Sequence, residues 1–408
     1  MLGVDLPESS ALNQQNNLSG LSVCWIGNPR YSQPLNPTDA KKWSLLAQLG
    51  VRMFVVGFAV GSQPRSFSQH ARFILLPELP ISILRYLEMF VVAPFILLWL
   101  IMRRNVSVIV AGSPFEGSIG ALAKNVARLF GKHVALVVES HGDFEVAVLE
   151  QRQVSFRGVY RWLMNKTASN AFRNAEVLRA VSNSTNEQLG RWIPNKPVIQ
   201  FMTWTDVSAF RDRTREIPVS EARDIVHAGV LIPRKGVHTL LDAFAQIAPE
   251  VSDSHLWIVG KPENAAYTTQ LHAQTATLGL QNRVTFVGGV GQQELAGYMA
   301  RGRAMVLASL SEGLPRVVVE GMMSGLVVIA SRVSGIPEVI EDGVTGYLIP
   351  PEQPDVLADT LRRMYANPNV EIMTQKARTF AEQFFSESAY VDGYRRLLSA
   401  AVQARKDN

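Results

Sequence analysis

Strand-length apolar runs alternate with helical segments along almost the whole chain, and the alternation begins twice. "LSVCWIG" leads to "DAKKWSLLAQLG", whose closing Gly50 suits a helix C-terminus. "VRMFVVG", a long apolar segment, "VSVIVAG", "SIGALAKNVARLFG" and "HVALVVES" follow, and "EVLRAVS", "NSTNEQLGRW" and "VIQFM" close the first series. Such a β-then-α rhythm argues for a parallel sheet with helices on both faces. After the polar patch "TWTDVSAFRDRTREIP" the rhythm restarts with "DIVHAGV" and "GVHTLLDAFAQI". It continues through "HLWIVG", "LHAQTATLGL", "RVTFVGGV", "QELAGYMARG", "AMVLAS", "LVVIAS" and "GYLIP" to terminal helices. The expected fold class is α/β, with two doubly wound parallel-sheet domains over residues 1–203 and 204–386. Residues 387–408 form a terminal helix expected to pack back on the first domain. In such sheets ligands bind outside the carboxyl ends of strands, so the loops there are the candidate sites.

Composition narrows the class further. The chain has 408 residues, more than one core comfortably holds, and 47% are hydrophobic against 18% charged, so both domains are expected to be globular. A single cysteine, Cys24 in a strand-like run, excludes a disulfide framework and suits a reducing compartment. Residues 1–20 read as a polar lead-in rather than a secretion signal. The net charge of +5 is uneven: residues 1–203 carry 20 Lys and Arg against 12 Asp and Glu, or +8, while 204–408 carry 20 against 23, or −3. Either solvated surface varies by chance, or the first half faces something anionic. No basic stripe interleaved with aromatics occurs, so nucleic acid is not the expected partner.

The stretch "MFVVAPFILLWLIMRR" is uninterrupted apolar from 89 to 102. That is short of the ~18–20 residues needed to span a bilayer, and Pro94 is expected to break it. A buried helix of the α/β domain is the leading reading. A helix over residues 81–102 lying on a membrane surface is the alternative, kept open by Arg103 and Arg104.

"SEGLPRVVVEGMMSG" places Glu312 and Glu320 eight positions apart in an apolar setting. "AMVLAS" before it is a strand and "LPRVVVEGMMS" a helix, with Pro315 expected at its first position, where the missing N–H costs nothing. The turn therefore feeds a helix N-terminus, whose N–H groups and dipole suit a diphosphate, and Gly313 leaves room for phosphate oxygens. Glu320 lies roughly 7–8 Å along the axis from the helix start, so carboxylates stand on either side of that position. Each can accept hydroxyl hydrogen bonds, as a sugar and a ribose would supply.

The segment "SEGLPRVVVEGMMSGLVVIASRVSGIPEVIEDGVTGYLIP" resembles the signature of the retaining glycosyltransferases of family 4, with an E-x7-E pair, a G-x-P-E-x-I loop and a D-G-x-x-G-x-L turn. "GVLIPRKGVHTLLDAF" is similar to the family's donor loop, "RVTFVGGV" to its base-binding strand, "ESHGD" to its histidine loop and "AEVLRAVSNST" to its inter-domain strand. The resemblance implies the GT-B fold, two Rossmann-like domains facing across a cleft. It implies that Glu320 binds the ribose hydroxyls, Glu312 the transferred sugar and Lys235 the diphosphate. The backbone at Gly313 and Leu314 would complete the phosphate cradle, His141 would approach the donor sugar, and Val290 would lie near the nucleobase. Where the family has arginine after the donor-loop glycine this chain has Val230, and Arg234 or Arg316 are the candidates to supply that charge. The glycine-rich loop after the first strand is replaced by "GNPRYSQPLNP", with only Gly27.

Competing chemistries lack their spacing. "GSPFEGSI" has no Lys-Ser/Thr after its glycines, no G-x-G-x-x-G opens the first domain, and no H-x-x-x-H or D-x-D occurs. Neither an NTPase, a dinucleotide oxidoreductase nor a metal-held diphosphate is indicated, and no cofactor is expected. The expected donor is a UDP- or GDP-sugar. The expected acceptor is a hydroxyl compound, with a lipid-linked saccharide at the cytoplasmic membrane face suiting the basic first half. The alternatives are an epimerase or phosphorylase on the same scaffold, and an inactive relative that binds carbohydrate or a partner.

Overall fold

The computed structural model of the protein describes residues 18–141, 157–312 and 315–406. The chain divides into two compact units, one containing the residues through Trp204 and those from Glu387 onward, the other Thr205–Ser386.

Among the described residues of the first unit eight strands form one sheet: β1 (Ser22–Tyr31), β2 (Arg52–Ala59), β3 (Arg65–Gln69), β4 (Ala71–Leu76), β5 (Val108–Ala111), β6 (Ala135–Ser140), β7 (Val177–Ala180) and β8 (Val198–Gln200). Their order is β3-β4-β2-β1-β5-β6-β7-β8. From the central β1 the chain winds outward first to one side and then to the other, which puts the topological switch point between β1 and β5. The connecting helices are α1 (Pro37–Ala47), α2 (Ser82–Arg104), α3 (Pro114–Leu129), α4 (Arg157–Asn174) and α5 (Asn183–Trp192). Local sequence sets where they begin. Asn36 accepts a bond from the Asp39 N–H at 2.9 Å and Pro37 opens α1, while Ser113 and Pro114 do the same for α3.

Adjacent residues of a strand point to opposite faces, and in β1 both faces are covered. Val23 packs with Trp43 of α1 and with Leu397 and Leu398 of the C-terminal helix Glu387–Lys406. Cys24 packs on the other side with Leu97 of α2, Ile119 of α3 and Phe172 of α4. Burial pushes the Cys24 thiol far up, so it is an inert core residue.

Four local expectations are corrected. The segment "GNPRYSQPLNP" is not all loop: β1 runs on to Tyr31, with a register shift against β2 between Ile26 and Arg30. Residues 65–76 form an antiparallel hairpin, β3 with β4, turning at His70 with φ 60°. The polar alternation of "RSFSQ" hides that edge strand, and the sheet is therefore not purely parallel. Pro94 does not interrupt the apolar segment but lies inside the 23-residue α2. Nor is α2 a buried helix, because one whole face is exposed.

The second unit has a six-stranded, wholly parallel sheet: β9 (Ile225–Ala228), β10 (Leu256–Val259), β11 (Val284–Gly288), β12 (Ala304–Leu307), β13 (Val327–Ser331) and β14 (Tyr347–Ile349). The order is β11-β10-β9-β12-β13-β14, so the switch point falls between β9 and β12. Its helices are α6 (Ser208–Arg211), α7 (Val237–Ile247), α8 (Ala265–Thr277), α9 (Gln292–Arg301), α10 (Arg316–Met323), α11 (Pro354–Ala366) and α12 (Val370–Phe384).

Candidate active site

The loops that leave β9 and β12 meet at the second unit's switch point, and glycine makes the approach feasible. After β9 the chain forms a 3-10 turn, Pro233–Lys235, that ends on Gly236 with φ +63°. A Cβ on Gly236 would stand 1.9 Å from the Ala308 carbonyl oxygen, so a side chain there would meet both backbone strain and a backbone collision. The Leu310 N–H donates to the Arg234 carbonyl at 2.8 Å, pinning the two loops together. Arg234 and Lys235 are thereby delivered onto the segment from Ser309 to Glu312.

Glu312 is 8% exposed and gathers donors from both loops. Its Oε1 accepts from Lys235 Nζ at 2.5 Å and from Ser309 Oγ at 2.7 Å. Among the described residues its Oε2 has only Arg234 Nη1, at 3.4 Å, which leaves lone-pair capacity for a hydroxyl. The Glu312 N–H donates to Ser334 Oγ at 3.3 Å, and Ser334 itself holds φ 51°. Two buried polar atoms beside this cluster have no partner among the described residues: Arg234 Nε, a donor, and His227 Nε2. Buried polar groups are ordinarily bonded, so two orphans side by side at a switch point are polar capacity that the described residues leave unused.

Glu320 lies four residues after the start of α10 and is 6% exposed. Burial raises its carboxyl pKa, and Arg316, at 3.8 Å on the preceding turn, works against that rise. Arg316 also donates from Nε to Thr205 Oγ1 at 2.6 Å. Pro315 is the N-cap of α10 in extended conformation rather than its first helical residue. Of the arginine candidates, Arg234 therefore stands at Glu312 and Arg316 at Glu320. Val290, in the turn after β11, is half-buried, and the neighbouring Gly289 is overlain by the Lys261 side chain. Gly313 and Leu314 lie outside the described residues, as does the lead-in up to residue 17.

His141 belongs to the first unit, where it follows β6. Its Nε2 is 3.0 Å from Glu139 Oε2, and Thr203 Oγ1 is 3.5 Å from its Nδ1. Glu139 is buried and also takes Arg179 Nη1 at 3.0 Å and the Tyr394 hydroxyl at 2.7 Å, both on Oε1. Burial alone would raise the Glu139 carboxyl, but Arg179, His141 and Tyr394 outweigh it and hold it well below the usual range. His141, Glu139 and Arg179 line a cavity of about 1480 Å³ at the first unit's switch point, together with Gly27 of β1 and Ser113 beyond β5.

Sequence reading missed Ser309, Ser334 and His227 in one unit and the Glu139–Arg179–Tyr394 group in the other. His227 sits inside the apolar run "DIVHAGV", where nothing distinguishes a site histidine from a core one. Burial lowers its pKa from 6.5 to about 4, opposed by its Nδ1 bond to the Val306 carbonyl and reinforced by Lys235. Between those values the unfolded chain binds a proton that the native state refuses. Stability is therefore whole above pH 6.5 and falls as the pH drops to 4, by up to about 3 kcal/mol. Urea melts across this range should lose much of that slope in His227→Leu, and an identical slope in the variant would show the effect lies elsewhere.

The two parallel-sheet α/β units define a GT-B fold, and solved structures share it. Sucrose-phosphate synthase from Thermosynechococcus elongatus has a TM-score of 0.71 at 20% identity, over 93% of this chain and 100% of that one. Anabaena HepE, solved in complex with UDP-glucose, has a TM-score of 0.68 at 21% identity with the same coverage. Residues 210–383, nearly all of the second unit, match the family model of glycosyl transferases group 1. Among curated proteins the chain is 25% identical to a lipopolysaccharide core biosynthesis glycosyltransferase of Rhizobium meliloti over 232 residues, 56% of this chain and 66% of that one. It is 24% identical to the alpha-D-kanosaminyltransferase of Streptomyces kanamyceticus over 280 residues, 65% and 70% of the two chains. A third relative, the D-inositol 3-phosphate glycosyltransferase of Streptomyces griseus, is 32% identical over 182 residues, but the match spans only 39% of that protein.

Proposed function

We propose that the protein is a glycosyltransferase that moves a sugar from a nucleoside-diphosphate donor to a hydroxyl acceptor with retention of anomeric configuration. The assembly of a cell-surface polysaccharide or glycolipid is the setting its relatives suggest. One observation carries the reading. A buried carboxylate, Glu312, is held by Lys235, Arg234 and Ser309 at a sheet switch point, beside an orphaned arginine donor, within the segment that matches the glycosyltransferase family model.

The roles follow from the chemistry of each group. Cleavage of the sugar–phosphate bond leaves negative charge on the diphosphate, which the Lys235 ammonium and the orphaned Arg234 Nε are suited to stabilise. Glu312 holds the ammonium in place through Oε1 and offers Oε2 to a sugar hydroxyl. Glu320 offers a second carboxylate for the ribose. Since no side chain in the cluster stands out as a nucleophile, the acceptor hydroxyl attacks from the face the diphosphate leaves, and the departing phosphate oxygen takes its proton.

Glu320→Ala is expected to weaken donor binding about tenfold or more, the loss of charge-assisted bonds to a ligand, with kcat changed only several-fold. Calorimetric titration with UDP- and GDP-sugars measures the first and steady-state kinetics the second. Product anomeric configuration, read by NMR, tests retention. Conversion of the donor with no acceptor requirement would overturn the transfer reading in favour of epimerisation.

A further inference from the structure

We propose that the outer face of α2, flanked by the basic surface of α3 and α4, lies in the plane of an anionic lipid membrane. This goes beyond the transfer reaction and does not depend on it. Residues Leu84–Arg104 are long enough and apolar enough to cross a bilayer by length and composition, with Arg85 and Glu88 near one end and Arg103 and Arg104 at the other. A helix that covers a sheet needs one apolar stripe, and α2 uses Met89, Ala93, Leu97, Leu100 and Ile101 for it. On the opposite side Leu84, Leu87, Val91, Phe95, Trp99 and Met102 recur at helical spacing and are exposed, Phe95 to 71%. Leu129 and Phe130 at the end of α3 are exposed as well. A second apolar face that none of the described residues covers is a docking surface rather than scattered exposure.

Charge selects the occupant. Arg103, Arg104, Arg128, Arg161, Lys166 and Arg173 of α2, α3 and α4 are exposed, whereas Arg85 and Lys124 are ion-paired with Glu78 and Glu176, and the acidic residues of these helices are the partly buried Glu88 and the buried Glu116. Two copies of so basic a face would repel one another, whereas lipid phosphates attract it. The guanidinium of Arg104 stands 5.5 Å from the Trp99 ring centre, and Lys166 Nζ 4.9 Å from that of Trp162. An indole capped by a cation is the pairing that suits the boundary between headgroups and acyl chains. The orientation also follows. Leu97 and Leu100 are fully buried in the first unit's core, so a spanning α2 would have to be torn from it. Lying flat uses the free face and keeps the packed one. Ile81, Leu87, Phe90 and Leu163 are exposed and also line the cavity, so its mouth opens on this same apolar surface.

The test is co-sedimentation of the full chain with phosphatidylcholine vesicles, with and without phosphatidylglycerol. Binding is expected only with the anionic lipid and should be reversed by high salt. The exposed pair Phe95→Asp/Trp99→Asp, and separately Arg103→Glu/Arg104→Glu, should each lower the partition coefficient about tenfold or more, with circular dichroism and melting temperature unchanged. Equal binding to neutral vesicles, no binding at millimolar anionic lipid, or variants that bind as tightly as the parent would each overturn the proposal. So would a dimer in light scattering that Phe95→Asp dissociates while vesicles go unbound. Retention on vesicles through both high salt and alkaline carbonate would instead mean a spanning helix and would equally refute it.

Discussion

Lys235→Ala is expected to lower kcat by about a hundredfold to a thousandfold, the usual cost of removing one preorganised charge from a developing anion. Donor affinity should change less, because the group's largest effect falls on the additional charge the diphosphate gains as the sugar–phosphate bond breaks. The structure shows why one lysine can weigh so much. Its ammonium is fixed by Glu312 at 2.5 Å, on a loop that Gly236 and the Leu310–Arg234 bond seat against the next strand's exit. Lys235→Arg is not expected to restore the rate, since a planar fork does not replace a compact point charge at that spot. Glu312 keeps Ser309 and Arg234 in the alanine variant, so the fold should survive, which a melting curve checks. Single-turnover transfer at saturating donor isolates the chemical step. A rate within threefold of the parent would reduce Lys235 to a structural partner of Glu312.

The second large effect falls on stability in the first unit. Arg179→Met is expected to cost about 3–5 kcal/mol, the range for breaking a buried ion pair from one side. Arg179 is 1% exposed, and its guanidinium lies 3.9 Å from the Phe201 ring centre while bonding Glu139 and the Tyr394 hydroxyl. Without it the Glu139 carboxylate stays buried with only His141 and Tyr394 to answer it, and its pKa should climb. A folded carboxyl held low adds stability that is present above its unfolded value and lost as pH falls, so the variant should also melt with a flatter acid limb. Arg179→Met/Glu139→Gln should recover part of the loss, because the uncompensated charge is gone. Chemical denaturation of the parent, Arg179→Met, Glu139→Gln and the double variant decides the matter. A single-variant cost under 1 kcal/mol, or a double variant equal to the sum of the singles, would mean the pair does not act as a unit.

Some of these groups were visible in the chain and others were not. Glu312, Glu320 and Lys235 stand in short contiguous motifs near strand exits, where local sequence alone singles them out. Ser334 bonds the Glu312 N–H from 22 residues away, and Tyr394 bonds Glu139 from 255 residues away. No local pattern announces a contact across that separation. The hairpin of β3 and β4 escaped for a related reason: an edge strand has only one neighbour and tolerates polar residues, so its run looks like loop. Pro94 misled in the opposite direction, since packing holds α2 together through a residue that local rules treat as a break.

What this chain's sequence determined by itself is the β-α alternation, its restart near residue 205 and the helix α10 that carries Glu320. All of these depend on neighbours within a few positions, through steric preference, capping and apolar spacing. Tertiary structure alone decided that Lys235 would be spent on Glu312, that Arg234 Nε and His227 Nε2 would be left without partners among the described residues, and that one side of a largely apolar helix would stay uncovered by them. Those outcomes turn on which distant groups compete for the same oxygen or the same surface, and that competition exists only once the sheets have brought them together.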